Sequence, residues 1–130
     1  MATLTWSLTL LVSGSSSISV SRAPVTVEAT DRIEVVIAPG DTDKVVDIQP
    51  GATSAIHALL IASSSYGAHL KFKVSDGTTD SVAVTLDSPQ VFSGGSVAVF
   101  ALAPRRLKFT NSSLDKPATL DILVARDATP

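Results

Sequence analysis

Residues 96–127 read S-V-A-V-F-A-L-A-P-R-R-L-K-F-T-N-S-S-L-D-K-P-A-T-L-D-I-L-V-A-R-D, and the fold is decided here. Val97, Val99 and Ala101 alternate with Ala98, Phe100 and Leu102. Leu107 and Phe109 alternate with Lys108 and Thr110, and Leu120, Ile122 and Val124 alternate with Asp121, Leu123 and Ala125. A period of two predicts strands, because successive strand side chains point to opposite faces. Pro104 separates the first predicted strand from the second, and residues 111–117 separate the second from the third. The stretch therefore predicts a meander or sandwich edge with both faces partly covered. It displays no chemistry.

The same period runs outward toward the N-terminus. Leu70, Phe72 and Val74 alternate with Lys71, Lys73 and Ser75, which predicts a half-exposed strand with two lysines outward. Asp76-Gly77 is a strong hairpin signal, and Val82, Val84 and Leu86 return as its partner. Asp87-Ser88-Pro89 turns again, and Ser93-Gly94-Gly95 leads back into the opening stretch. Residues 55–62, A-I-H-A-L-L-I-A, are continuously apolar. Their length and flanks predict a strand buried on both faces. Val46 and Ile48 predict a strand closed by Pro50-Gly51, and Ile33, Val35 and Ile37 one broken by Ala38-Pro39-Gly40. Val25, Val27 and Ala29 predict a short strand after Pro24.

At the start, Leu4, Trp6, Leu8, Leu10 and Val12 alternate with Thr5, Ser7, Thr9 and Leu11. A secretion signal is solidly apolar, so this reads as a strand, with Trp6 facing inward beside Leu4, Leu8 and Leu10. Residues 14–17 turn, and Ile18 and Val20 resume the alternation, which predicts a hairpin. Residues 1–30 have two readings: core strands, or a hairpin arm packing on a neighbouring subunit. About ten short strands without an amphipathic helix predict an all-β chain folded as an antiparallel sandwich, jelly roll or barrel. Residues 1–130 form one such domain. The absence of a fixed-period repeat excludes a propeller or solenoid.

Composition sets further bounds. Charged residues make up 17% and hydrophobic residues 45%, with a mean hydropathy of +0.35. Serine and threonine fill most polar positions. Such a surface protects weakly against association. It points to a permanent homo-oligomer, trimer first and dimer second, or to docking on a larger assembly. A plain compact β domain with Ser and Thr on its outer faces would share the composition. The net charge is −2 and the pI about 5.5, so nothing argues for nucleic acid. No apolar run reaches the ~18 residues expected of a membrane span. There is no cysteine, hence no disulfide, thiolate nucleophile or cysteine-based zinc site.

Candidate chemistry is sparse. His57 and His69 are the only histidines. His57 lies in the most apolar run and is expected as a hydrogen-bonded core residue, and His69 as a solvated one. No G-x-S-x-G elbow accompanies them. Asp41, Asp43 and Asp47, and separately Asp76 and Asp80, carry oxygens that Ca²⁺ could use. A calcium site wants six to eight oxygens, and turn chemistry explains these aspartates without a metal. No catalytic residue, cofactor or metal is predicted. Arg105-Arg106 is an adjacent basic pair, and arginine grips carboxylates with two parallel hydrogen bonds. The partner-binding candidates are Arg105, Arg106, Lys71, Lys73 and Tyr66, with loops 63–67 and 111–116.

Three pieces of the chain resemble a known family. They are residues 17–37 (S-I-S-V-S-R-A-P-V-T-V-E-A-T-D-R-I-E-V-V-I), residues 49–66 (Q-P-G…L-L-I-A-S-S-S-Y), and residues 86–126, from L-D-S-P through L-K-F-T-N to I-L-V-A-R. In pattern they are similar to the capsid decoration, or cement, proteins of tailed bacteriophages. The resemblance implies an oligomeric jelly roll made in the host cytoplasm and bound to the capsid exterior. There it would contact the major capsid protein and hold neighbouring capsomers together without enzymatic activity. The alternative of another class is a carbohydrate-binding or host-adhesion sandwich on a phage particle. Sugar recognition usually needs exposed aromatic platforms, and the chain has one Trp, one Tyr and four Phe.

Overall fold

The computed structural model describes residues 2–11, 13–48, 56–93, 96, 99 and 104–127. The strands are β1 (Ala2–Leu10), β2 (Ile18–Val27), β3 (Ala29–Ile37), β4 (Lys44–Asp47), β5 (Ile56–Ser63), β6 (Leu70–Ser75), β7 (Val84–Thr85), β8 (Gln90–Ser93), β9 (Arg106–Asn111) and β10 (Ala118–Arg126). All pairings between them are antiparallel. Sheet I has the order β3-β10-β5-β8 and sheet II the order β4-β9-β6-β7, while β1 and β2 form a separate ribbon. From β3 onward the chain passes repeatedly between the two sheets. Eight antiparallel strands wound in this way make a jelly-roll sandwich.

The inward positions are the apolar halves of the alternations. Ile122 and Val124 of β10 lie opposite Ile61 and Leu59 of β5, and Leu120 opposite Ser63; all three β10 side chains are fully buried. Sheet II answers with Leu70, Phe72 and Val74 of β6 and Leu107 and Phe109 of β9. Phe72 and Phe109 are direct cross-strand partners, with ring centroids 6.2 Å apart and tilted by 40°. That is a favourable offset geometry for two aromatic rings.

Several sequence expectations need correction. The break expected at Pro24 does not occur, and β2 runs through it. Leu4 pairs with Val25 but Trp6 with Arg22, so Ala23 and Pro24 together oppose Thr5. This is a β-bulge, where proline's missing N–H interrupts no ladder bond. The strand expected over 82–86 shrinks to Val84–Thr85. A strand not expected, β8, forms just after Pro89, too short for its alternation to be read. Ser96 and Val99 take 3₁₀-like rather than extended backbone. The remaining residues of the strand expected over 97–102 lie outside the described ones, as do Met1, Val12, Pro50-Gly51, Ala55 and Gly94-Gly95.

Trp6 is half-buried, but Leu8 and Leu10, expected to face inward with it, are 44% and 56% exposed. Leu4, Trp6 and Leu8 of the ribbon stand across a cleft of about 790 Å³ from Ala58, Leu60 and Leu123 on the outer face of sheet I. The expectation that β5 is buried on both faces holds for its inner face only. Its inner Leu59 and Ile61 are fully buried, while its outer Ala58 and Leu60 are half-buried.

Asn111 ties one end of the sandwich together. It is fully buried. Its Nδ2 donates to the carbonyls of Ile37 (3.1 Å) and Lys116 (2.8 Å), and its Oδ1 accepts the Ser113 amide (3.1 Å). Its main-chain N–H donates to Asp41 O (2.9 Å), and its carbonyl accepts the Gly40 N–H (2.8 Å). The side chain of Asn111 thus joins the end of β3 to the loop after β9, and its main chain holds the 38–43 turn. Asn111→Ala is expected to lower the unfolding free energy by about 3 kcal/mol, since it strands a buried carbonyl and removes three bonds worth about 1 kcal/mol each. Urea titration checks this: with exposed Ser112→Ala as control, equal midpoints for the two variants would overturn the assignment.

Candidate binding surfaces

The outward residues of sheet II form a charged face. Paired positions share a face, and Lys73 lies opposite Lys108, Lys71 opposite Thr110, and Asp47 opposite Arg106. Three cations are matched by carboxylates: Lys73 with Asp43 (3.5 Å), Arg106 with Asp47 (3.0 Å) and Lys108 with Asp80 (2.9 Å). Lys71 is exposed and has no ion pair among the described residues. Exposed pairs of this kind contribute little to stability, about 0–1 kcal/mol each. The face can therefore exchange its internal partners for external ones at low cost.

The candidates from the sequence do not all converge. Arg106, Lys71 and Lys73 share the sheet II face. Arg105 stands at its end, with its main chain bonded to Ser75 O and Ile48 N, both 3.0 Å. Its exposed side chain borders a cleft of about 640 Å³ shared with Arg106, Arg126, Asp47 and Asp76. Arg126 had no place among the candidates. It ends β10, where it pairs with Asp31 at 3.5 Å, and its Nε is buried without an acceptor among the described residues. Only the sheet order brings residues 105, 106 and 126 together, so spacing along the chain carries no sign of it.

Tyr66 lies at the opposite end, half-buried against the core. Its hydroxyl oxygen accepts the Ser63 amide at 3.0 Å. In loop 111–116, Leu114 is 98% exposed.

The histidines are far apart. His57 is half-buried at a β-bulge of β5 and its Nε2 meets Asp127 Oδ1 at 3.1 Å. His69 is half-buried rather than solvated, with Nε2 3.3 Å from Ser65 Oγ. The first sits near the end of β10 and the second beside the loops that precede it.

The aspartates considered for calcium have other duties. Asp41 Oδ2 accepts the Ala38 amide at 2.9 Å. Asp43 sits at φ +49°, a left-handed conformation that Asp tolerates better than most residues. Asp76 caps its own turn: one oxygen accepts the amides of Thr78 (2.9 Å) and Thr79 (2.7 Å) and the Thr78 hydroxyl (3.0 Å). Gly77 supplies the positive φ of +102° that this turn needs. No group of three or more potential ligands for a metal occurs among the described residues.

No protein-family model matches the chain, and no curated protein or solved structure matches it. Among the described residues no helix is long and apolar enough to cross a membrane.

Three carboxyls titrate below their ordinary range. Asp76 is held down by the Thr79 and Thr78 amides, Asp80 by the Lys108 ammonium, and Asp121 by Arg32, which grips it with two hydrogen bonds of 3.0 and 2.6 Å. A carboxyl with a depressed folded pKa stabilises the fold above its unfolded pKa, and the effect is lost as pH falls through the folded value. The melting temperature should therefore begin to drop below about pH 4, near the reference aspartate pKa. Asp76→Asn, which keeps an acceptor oxygen but cannot titrate, should make that drop shallower. Superimposable acid profiles of the two proteins would show that the turn carries none of it.

Proposed function

We propose that this chain is a non-enzymatic structural protein that decorates the exterior of a bacteriophage capsid. It binds the major capsid protein across capsomer boundaries and works as a homo-oligomer. The observation that carries the reading is the outer face of sheet II. It sets Lys71, Lys73, Arg106 and Lys108 among Asp43, Asp47 and Asp80 on an open, mixed-charge surface. Such a surface suits repeated polar contacts with a lattice and requires no turnover. The jelly roll agrees with the family resembled by residues 17–37, 49–66 and 86–126. The neighbouring Arg105, Arg106 and Arg126 offer bidentate donors to acidic groups on the shell.

The sugar-binding alternative is less well supported. Among the described residues, Phe72 and Phe109 are buried, and Phe92, Tyr66 and Trp6 are half-buried. No exposed ring is left there to stack on a sugar.

A protein that binds only the assembled shell stabilises it by mass action, by about 2.7 kcal/mol per site at a hundredfold excess over Kd. Many sites acting together would oppose the pressure of packaged DNA. Decorated particles should therefore release DNA at a higher temperature than particles stripped of the protein, and adding it back should restore the difference. Lys71→Glu with Lys73→Glu should weaken sedimentation with particles and reduce its salt dependence. Equal DNA release temperatures, or failure of the wild type to sediment with particles, would end the capsid reading.

A further inference from the structure

The β1–β2 ribbon has two unlike faces. Register and alternation put Leu4, Trp6, Leu8, Leu10, Ile18 and Val20 on one side. The opposite side carries only Thr and Ser at its paired positions, with Thr9 Oγ1 and Ser19 Oγ 3.0 Å apart. The base of the apolar side lies over sheet I, where Arg22 Nη1 donates to Ser93 Oγ at 2.9 Å. Leu8 still borders the cleft above sheet I, while Leu10, Ile18 and Val20 lie beyond it. Leu8, Leu10, Ile18 and Val20 are 44–62% exposed, and neighbouring Leu11 is 79% exposed.

An isolated two-stranded hairpin is marginal in water at best, and contiguous exposed apolar patches mark interaction sites. We infer that the far half of this face is covered by the same ribbon of a second copy of the chain, apolar side against apolar side. This takes from the preceding reading only that the working unit is a homo-oligomer.

Charge matching selects the occupant. The first charged side chain is Arg22, so residues 2–21 carry no ionisable side chain. Any surface that covers this strip without stranding a buried charge must be equally neutral. The other exposed large apolar side chains, among them Val36, Val45, Val82 and Leu114, lie apart in sequence. Val36 and Val45 sit beside charged neighbours along their strands. The ribbon is the one long uncharged apolar strip of the described chain, and it matches itself.

Symmetry then selects the arrangement. A contact between the same strip on two copies is isologous and closes as a two-fold pair, so it leaves no free face from which an open filament could grow.

The test needs only purified protein and no particles, so its failure is distinguishable from failure of the capsid reading. Light scattering after size exclusion should give about twice the 13.4 kDa of the chain. Leu10→Glu and Leu10→Lys, both at an exposed position, should each run as monomers with an unchanged circular dichroism spectrum. Mixing the two should restore the oligomer, because opposite charges then meet across the ribbon contact. A wild-type monomer at about 100 µM, well above the micromolar range of weak specific pairs, would overturn the inference. So would a Leu10→Glu oligomer, or two charged variants that stay monomeric when mixed, which would place the contact on another surface. Flotation of a monomeric wild type with phosphatidylcholine vesicles would assign the ribbon to a membrane instead.

Discussion

Everything in this fold hangs on β10 having a neighbour on each side. It is bonded to β3 from Ala118 to Arg126 and to β5 from Leu120 to Arg126. A strand flanked in this way leaves no backbone group unpaired along that span, and its side chains alone decide which way the sheet faces. Ala118, Leu120, Ile122 and Val124 are all fully buried, so a one-residue slip would turn four apolar side chains outward and bring Asp121 in. Register is therefore fixed, and with it the positions of β3, β5 and, through β5, β8. Sheet II is set by the complementary demand: Phe72, Phe109, Leu107 and Val74 have to fill the space facing β10.

The two sheets then present opposite characters outward. Sheet II shows lysines, arginine and aspartates in neutralising pairs. Sheet I shows Ala58, Leu60, Ala62 and Leu123, broken by the Arg32–Asp121 bridge and Glu34 near one edge. Such an apolar outer face is costly in water, and the base of the ribbon stands over part of it across a cleft. The ribbon is thus both a lid for its own sandwich and a carrier of uncovered apolar surface beyond it. Low overall charge is not spread evenly over the molecule. It reflects a ribbon whose first 21 residues have no charged side chain, attached to a sandwich with an ordinarily charged face.

Much of this was legible in the residues. The alternations at 70–74, 107–109 and 120–124 fall on strands as expected, and Asp76-Gly77 forms the turn it signals. Such features are local, with the physical cause sitting within a few residues of the effect. What escaped depends on distant partners. Pro24 looked like a break because its accommodation rests on Thr5 across the ribbon. Asn111 looked like the start of a loop, since its value as a knot depends on the carbonyl of Ile37. Arg126 gave no sign of standing beside Arg105 and Arg106. Leu8 and Leu10 alternate as well as any core residues do. Alternation says that two faces differ, but not that the chain itself provides cover for the apolar one.

That last ambiguity explains how such a ribbon can persist. A strand pair with both sides polar would have no reason to lie on sheet I. One that buried its apolar side completely would have nothing to offer a neighbour. Here the division runs along the ribbon rather than across it. Leu4, Trp6 and Val25 sit half-buried toward the base and Val27 is fully buried where the ribbon joins β3, while exposure rises through Leu8 and Leu10. The bulge at Ala23-Pro24 marks the passage between these regions, and bulges bend a strand and increase its twist. Arg22, the first charge in the chain, sits beside it and ties the ribbon to Ser93. The anchored base fixes the direction in which the free end projects. A contact made by that end is therefore partly organised before it forms, and it carries a smaller ordering cost than a floppy arm would.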